Sequence, residues 1–521
     1  MRTTLSRSAG VGVLIAGALA AGGCDVGAAS AAKNQGRSAA GSSAPALPER
    51  FERQRIAWTP CGADVAEQPV PGAQCGWVEV PVDYAAPDKG TVKLRVSRAK
   101  ATDHDRRLGS LLYNPGGPGA GGAADVADGN WQAGERARAR YDLVGFDPRG
   151  IGGSAPITCP DENSLTDHGL DNSPRGKAEA EETYAAAAER AKACRKASGP
   201  VFDHMDSVSV ARDLDILRAV LGDKRLNYSG TSYGTFIGQQ YMKLFPTKVG
   251  RMVLDGVVDP AADMRQVTDL DVKSAEDRLL RFAEACAARS ACPLGETGGA
   301  VVDRINTFVR QLDERPLAGP DDEELTADTA AHLLTEQLAD EEYWPSLADA
   351  LESAMLGDAT PLMRPEPADE ESTKEEDERK QAQEALAQSA VLCLDTRGAP
   401  RTPQAMLDTA AELAERSPVF GRVNAWTMLD CGTWPVPPKG DVEPIKAPGA
   451  APVLLVSYTD DAATPLSNAQ AVQAQLERGS LLIREGTGHG AYASDSACTD
   501  RSVDAYLVNG TLPTKKATCA S

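Results

Sequence analysis

Five residues, Gly230-Thr231-Ser232-Tyr233-Gly234, raise the first chemical question. The stretch around them reads "RLNYSGTSYGTFIGQQYMKLFP". Its first part, residues 226–229, is short and extended, and the aromatic Tyr228 favours strand. Downstream, Ile237, Tyr241 and Leu244 recur at helical spacing until Pro246 stops the helix. A strand that turns so sharply into a helix nearly collides with it, so the residues two before and two after the tip must be small. The residue at the tip is strained, and its side chain is lifted clear of the sheet edge. A serine held there is presented as a nucleophile.

A hydroxyl attacks only if a base takes its proton, and that base must itself be held. The chain has five histidines. His104 and His168 lie in polar loop sequence, His204 just before a helical pattern, and His332 within one. Only His489 follows a strand-like run, in the glycine-rich "EGTGHGAY". The acid that orients it is expected to end the preceding strand. There "LLVSYTDDAATP" offers two aspartates; Asp461 is preferred and Asp460 is the alternative. Thr464 is then expected as a helix cap, with Pro465 at the first helical position. An acyl-transfer site also needs donors aimed at a developing oxyanion. The amide of Tyr233, directly after the serine, supplies one. The loop "NPGGPG" supplies the other: Gly116, Gly117 and Gly119 let backbone approach a substrate closely, Pro118 stiffens the turn, and Gly117 is the expected donor. A phosphate cradle is the weaker reading of this loop, since no G-K-[ST] occurs anywhere in the chain. Such chemistry requires no metal and no organic cofactor.

The elements that must position these residues follow from the pattern. Apolar runs "SLLY" and "YDLVGF" each end in a glycine-rich turn. A helix follows with Val210, Leu214, Leu217 and Leu221 on one face, then the serine turn, then the strand "RMVLDGVV". Alternation of this kind predicts a mostly parallel sheet covered on both faces by helices. Residues 259–447 read instead as a mainly helical insertion, and the sheet resumes with "APVLLVSY" and "GSLLIREG". The expected division is thus a first core part at 51–258, a helical cap at 259–447 and a closing core part at 448–521.

Composition narrows the function classes. A formal net charge of −21 repels nucleic acid, so no nucleic-acid partner is expected. The acidic run 366–380 reads as solvated. Residues 1–24 carry Arg2 and Arg7 before an apolar run too short to span a bilayer, the pattern of a signal peptide. Cys24 resembles a bacterial lipoprotein acylation site, with ordinary cleavage near Ala28-Ala29-Ser30 as the alternative. A membrane contact is expected only through that lipid. Residues 25–50, rich in Ala, Ser and Gly, read as a flexible tether or pro-segment. Eleven cysteines less Cys24 leave ten, an even number, as a disulfide framework requires. Nearest-neighbour pairing gives Cys61–Cys75, Cys159–Cys194, Cys286–Cys292, Cys393–Cys431 and Cys498–Cys519.

In order along the chain, "NPGGPG", "DPRGIGGS", "GTSYGT", "TDDAATP" and "GTGHGAY" resemble the secreted bacterial tripeptidyl aminopeptidases, relatives of the proline iminopeptidases. The resemblance extends from Trp58 to Cys519 and includes the C-terminal segment "VDAYLVNGTLP". It implies an α/β-hydrolase fold and a catalytic Ser232, Asp461 and His489, with Gly117 and Tyr233 as oxyanion donors. It further implies an exopeptidase that releases short peptides from free N-termini of peptides or proteins. Asp147 and Arg149 of "DPRG" fall in a supporting turn. Asp395, Glu341 and Glu342 are candidates to hold the substrate amine. A cell-envelope carboxylesterase or lipase on the same fold is the competing reading, and an inactive surface binding protein the more distant one. The chain departs from proline iminopeptidases at Pro115, where they carry histidine.

Overall fold

The computed structural model describes residues 47–160, 173–364, 374–440, 442–513 and 516–520. The expected leader and Cys24, all but the end of the tether, His168, and residues 366–373 of the acidic run lie outside the described residues. The strands are β1 (Thr59–Pro60), β2 (Gln74–Pro81), β3 (Thr91–Ala99), β4 (Gly109–Asn114), β5 (Tyr141–Phe146), β6 (Leu226–Thr231), β7 (Val249–Asp255), a small antiparallel pair β8 (Leu317–Ala318) and β9 (Glu324–Leu325), then β10 (Val453–Asp460), β11 (Gly479–Thr487) and β12 (Lys516–Cys519).

Ten of these form one sheet in the order β1-β2-β3-β5-β4-β6-β7-β10-β11-β12. The strands from β5 to β12 are mutually parallel, while β1, β2 and β3 pair antiparallel at one end. Alternation along a strand serves both faces: Val453 and Leu455 of β10 enter one core, Leu454, Val456 and Tyr458 the other. That two-sided burial is why these strands read as continuous apolar runs. From β4 the chain crosses to β5 on one side and later to β6 on the other. Strand order therefore reverses around β4, and a crevice opens at the carboxyl ends of β4 and β6.

Helix α1 (Ser207–Val220) is capped by Asp206, which accepts from the Ser209 amide at 2.9 Å, and it buries Val210, Leu214 and Leu217 against the sheet. Helix α2 (Tyr233–Leu244) follows β6 directly and ends before Pro246. Between β7 and β10 the chain is almost wholly helical, beginning with α3 (Met264–Ala287) and including α4 (Lys374–Asp395). Most of this segment builds its own core from Leu279, Phe282, Ile305, Leu334, Leu351 and Phe420. Helix α4 differs: Leu386, Ala390 and Leu394 join the sheet's core instead. The closing helix α5 (Ala497–Asn509) packs Val503, Tyr506 and Leu507 on the opposite face.

Five disulfides join the same cysteines that nearest-neighbour pairing gives. One of them, Cys393–Cys431, ties α4 to the segment that returns to the sheet. Disulfides in this number fit an extracellular or otherwise oxidising location. Among the described residues no helix is long and apolar enough to cross a membrane.

Candidate active site

Ser232 stands between the end of β6 and the start of α2 with φ +54° and ψ −125°, a backbone that L-residues rarely adopt. The flanking glycines explain how that strain is accommodated. A Cβ on Gly230 would stand 2.5 Å from the Gly234 carbonyl oxygen, and one on Gly234 would stand 2.6 Å from that of Asn114. The Ser232 amide donates to the Asp255 carbonyl at 2.8 Å, which fixes the turn to the end of β7.

The two side chains expected to complete the site follow β10 and β11, the strands beyond β7 in the sheet. Asp461 follows β10 and His489 follows β11. Both Asp461 oxygens lie 2.9 Å from His489 Nδ1, and the carboxylate is fully buried while the ring is about one-third exposed. Asp461 also accepts from the amides of Ala463 and Thr464 and from the Thr464 hydroxyl, at 3.0, 2.8 and 3.0 Å. Thr464 is therefore not the helix cap that its sequence context suggests. The helix Leu466–Gln475 begins one residue later than expected, with Pro465 before it and no side-chain cap. The threonine hydroxyl is committed to the carboxylate, the stronger acceptor. Asp460 points elsewhere, to Thr487 Oγ1 at 3.0 Å and to Arg281.

The serine turn and the histidine loop share their surroundings. A Cβ on Gly256 would lie 3.0 Å from His489 Cε1, and one on Gly490 would lie 3.2 Å from Thr231 Cγ2. Among the described residues, Ser232 Oγ and His489 Nε2 are not hydrogen-bonded to each other. Such bonds are often long without substrate and tighten in the complex. Burial pulls the His489 pKa down, but the hydrogen bond and charge of Asp461, with the charge of Asp255, outweigh it and leave the pKa raised.

Two further contacts in the site have only weak sequence signals. Asp255 at the end of β7 is buried, and its Oδ2 accepts from the Tyr492 amide at 2.8 Å. Its main chain thus holds the serine turn and its side chain the histidine loop. The only hint in sequence is its place at a strand's carboxyl end. Gly116, rather than Gly117, presses on the elbow. A Cβ there would stand 2.5 Å from Thr231 O and 2.9 Å from both Ser232 Cβ and the Tyr233 nitrogen. Gly117 lies beside it with φ +97°. Among the described residues neither the Gly117 nor the Tyr233 amide donates to another backbone group, and Tyr233 is in the first helical turn, where amides have no intrahelical acceptor.

Asp147 accepts from the amides of Ala123 and Gly153 at 3.0 and 2.8 Å, while Arg149 pairs with Asp213 in full burial. Both therefore shape the turn after β5. Asp395, a candidate amine ligand from sequence, is instead buried and fully engaged by Ser207 N and Oγ and the Tyr233 hydroxyl. Glu341 and Glu342 are exposed on a short turn.

The family model described as "TAP-like protein" matches residues 417–519. Over 488 residues the chain is 34% identical to serine protease Hip1 of Mycobacterium tuberculosis (strain H37Rv), covering 89% of this chain and 91% of that one. A tripeptidyl aminopeptidase of Streptomyces lividans is 35% identical over 484 residues, covering 90% and 88%. A protein named carboxylesterase B of Mycobacterium tuberculosis is 32% identical over 475 residues, covering 89% of each.

Proposed function

The chain belongs to the tripeptidyl aminopeptidase-like family of α/β-hydrolases and is a serine peptidase on that fold, and from this premise we propose that it is an exopeptidase releasing short peptides, tripeptides foremost, from free N-termini. Ser232 is the nucleophile. His489 Nε2 takes its proton as Oγ attacks the scissile carbonyl, and Asp461 orients the ring and stabilises the imidazolium. The amides of Gly117 and Tyr233 receive the oxyanion. His489 then protonates the leaving amine, and water releases the acyl group from Ser232.

The observation that carries this reading is the 2.9 Å contact of Asp461 with His489 Nδ1 after β10 and β11, at the same carboxyl edge of the sheet as the strained serine after β6. Its exopeptidase character is supported by α4, which crosses the oxyanion loop: a Cβ on Gly119 would stand 2.7 Å from the Glu384 carbonyl oxygen. A helix seated so close restricts how much chain can thread through the site. Residues 1–24 direct export, and Cys24, acylated, anchors the mature protein; mass spectrometry of the mature N-terminus tests this.

The similarity to a protein named carboxylesterase B makes esters the necessary comparison. Wild-type and Ser232→Ala proteins are assayed on Ala-Ala-Ala p-nitroanilide, its N-acetylated form, and short-chain p-nitrophenyl esters. Cleavage of the free-amine anilide, lost with Ser232, is expected. Ester turnover with no anilide release would overturn the proposal.

A further inference from the structure

Between the helices Gly122–Asp128 and Glu135–Arg140, which link β4 to β5, a short turn carries the half-buried Gln132. Its side chain meets both sides of the candidate site at once. Thr231 Oγ1, on the residue before Ser232, donates to Gln132 Oε1 at 2.6 Å. A Cβ on Gly490, the residue after His489, would stand 3.0 Å from Gln132 Nε2 and 3.2 Å from Thr231 Cγ2. Gly490 has φ +77°, so glycine both relieves the backbone there and leaves room for the carboxamide to close on the histidine loop.

The turn that carries Gln132 is bound to that loop as well. The Gly134 amide donates to the Tyr492 hydroxyl at 2.8 Å, and that hydroxyl donates in turn to Asp504 Oδ1 at 2.6 Å. Asp504, buried on α5, also accepts from the amides of Arg136 and Ala137 at 3.2 and 3.3 Å. From Tyr492 the path returns to the serine. The Tyr492 amide donates to Asp255 Oδ2, and the Asp255 carbonyl accepts from the Ser232 amide, both at 2.8 Å. A closed ring results, running from Ser232 through Asp255, Tyr492, Gly134 and Gln132 to Thr231 and back. Its other hydrogen bonds each use a main-chain amide; only the Thr231–Gln132 link joins two side chains.

We propose that Gln132 is a positioning residue that closes this ring and so holds the serine turn and the histidine loop at the separation proton transfer needs. This rests on the assignment of Ser232 and His489 above. The two loops leave strands that are not neighbours, since β7 and β10 stand between β6 and β11. Sheet pairing therefore does not tie one directly to the other, and a side chain spanning them supplies the restraint. Among the described residues Ser232 Oγ and His489 Nε2 are not hydrogen-bonded to each other, so their spacing depends on such supports. A misplacement of ~1 Å in a reacting site costs about 100-fold in rate. In this role Gln132 touches no substrate, so its loss slows the chemistry and leaves binding alone.

The experiment compares wild type, Gln132→Met, Gln132→Glu, Thr231→Val, the Gln132→Met/Thr231→Val double variant and Ser232→Ala. The substrates are Ala-Ala-Ala p-nitroanilide and a short-chain p-nitrophenyl ester, from about pH 5 to 9, with thermal unfolding alongside. Gln132→Met keeps the length and loses the acceptor; it should lower kcat about 10-fold on both substrates, with KM within about twofold. Thr231→Val should lose a similar amount, and the double variant no more than either alone, because both cut one bond. Gln132→Glu keeps the acceptor, and the Nε2 it replaces makes no hydrogen bond among the described residues. It should recover most of the lost kcat, while its carboxylate beside Gly490 favours the imidazolium and moves the acidic limb to higher pH. A merely structural glutamine would not move that limb. Three results would each overturn the proposal: kcat within about twofold of wild type in Gln132→Met and Thr231→Val, additive losses in the double variant, or a Gln132→Glu limb that stays in place. If Gln132→Met does not fold, Thr231→Val and Gln132→Glu carry the test. Activity kept by Ser232→Ala would fault the nucleophile instead. A wild type that cleaves only the ester, with that turnover still sensitive to Gln132, would fault only the exopeptidase reading.

Discussion

Replacing Gly116 by alanine tests the proposed oxyanion site at its tightest point. The residue has φ +103°, so alanine meets a backbone penalty of about 1–2 kcal/mol before any contact is counted. The new methyl would then stand 2.5 Å from Thr231 O and 2.9 Å from Ser232 Cβ and the Tyr233 nitrogen. All three belong to the elbow, and none is the loose end of a flexible side chain. Ordinary contact needs roughly 3.5–4 Å, so the loop and the elbow must separate by about 1 Å. Overpacking of that kind costs a further 1–3 kcal/mol or so in stability. The catalytic loss should be larger, since removing one oxyanion donor lowers kcat by about 10²- to 10³-fold.

The assay is kcat on a tripeptide anilide alongside thermal unfolding. Gly72→Ala serves as the control, because Gly72 also has positive φ, +84°, but a Cβ there meets nothing within 4 Å. The control should lose stability through its backbone alone and keep its kcat. Gly116→Ala should remain folded while losing two to three orders of magnitude in kcat. A Gly116→Ala protein with kcat within about twofold of the parent would show that the glycine loop and the serine turn do not act together.

Two further predictions concern protons and charge. The proposed base must be neutral to work, and the raised His489 pKa places the acidic limb of kcat/KM above the ordinary histidine value near 6.5, with activity falling as pH drops through it; a limb below that value would contradict the proposed role of the Asp461 contact. The same shift acts oppositely on stability, where the contribution of the His489 contact is present at low pH and is lost as pH rises through the raised value. Asp255→Asn keeps an oxygen for the Tyr492 amide but removes one of the charges that raise His489. Its acidic limb should move to lower pH with a reduced kcat, and an unchanged profile would sever Asp255 from the base.

Much of this arrangement was legible because it is local. The elbow glycines, the strand before each chemical residue and the order of serine, acid and histidine all lie within short windows where period and turn chemistry speak. The cysteine pairs were legible for the same reason, since each bridge closes between neighbours in sequence. What escaped was side-chain commitment across distance. Thr464 looks like a cap until the carboxylate three residues earlier claims its hydroxyl. Gly116 and Gly117 are indistinguishable as letters, and only the packing of β4 against β6 decides which one touches the elbow. Asp395 carries no periodic or motif signal for its partners, which lie 162 and 188 residues away.

That last contact joins the helical segment to the serine turn. Asp395 ends α4 and accepts from Ser207 N and Oγ at 2.8 and 2.6 Å and from the Tyr233 hydroxyl at 2.9 Å. Tyr233 is also the residue whose amide is proposed to receive the oxyanion. Burial, reinforced by the charge of Asp206, pushes the Asp395 pKa up from 3.8 to about 7. A carboxyl raised in the fold contributes stability below its ordinary value, and that contribution is lost as pH rises from about 4 through about 7. The shift corresponds to roughly 4 kcal/mol as an order of magnitude. Asp395→Asn cannot ionise, so the fall in unfolding free energy across that window should flatten, while most of the acceptor geometry survives. Asp395→Ala strands the Ser207 and Tyr233 donors in the core, at about 1–3 kcal/mol for each one left unpaired, and should lower kcat as α4 loosens above the proposed oxyanion loop. Denaturant unfolding from pH 4 to 8, with kcat at each pH, separates these effects. If Asp395→Ala matches wild type in both, α4 does not help to hold Tyr233, and the elbow must keep its geometry from the sheet alone.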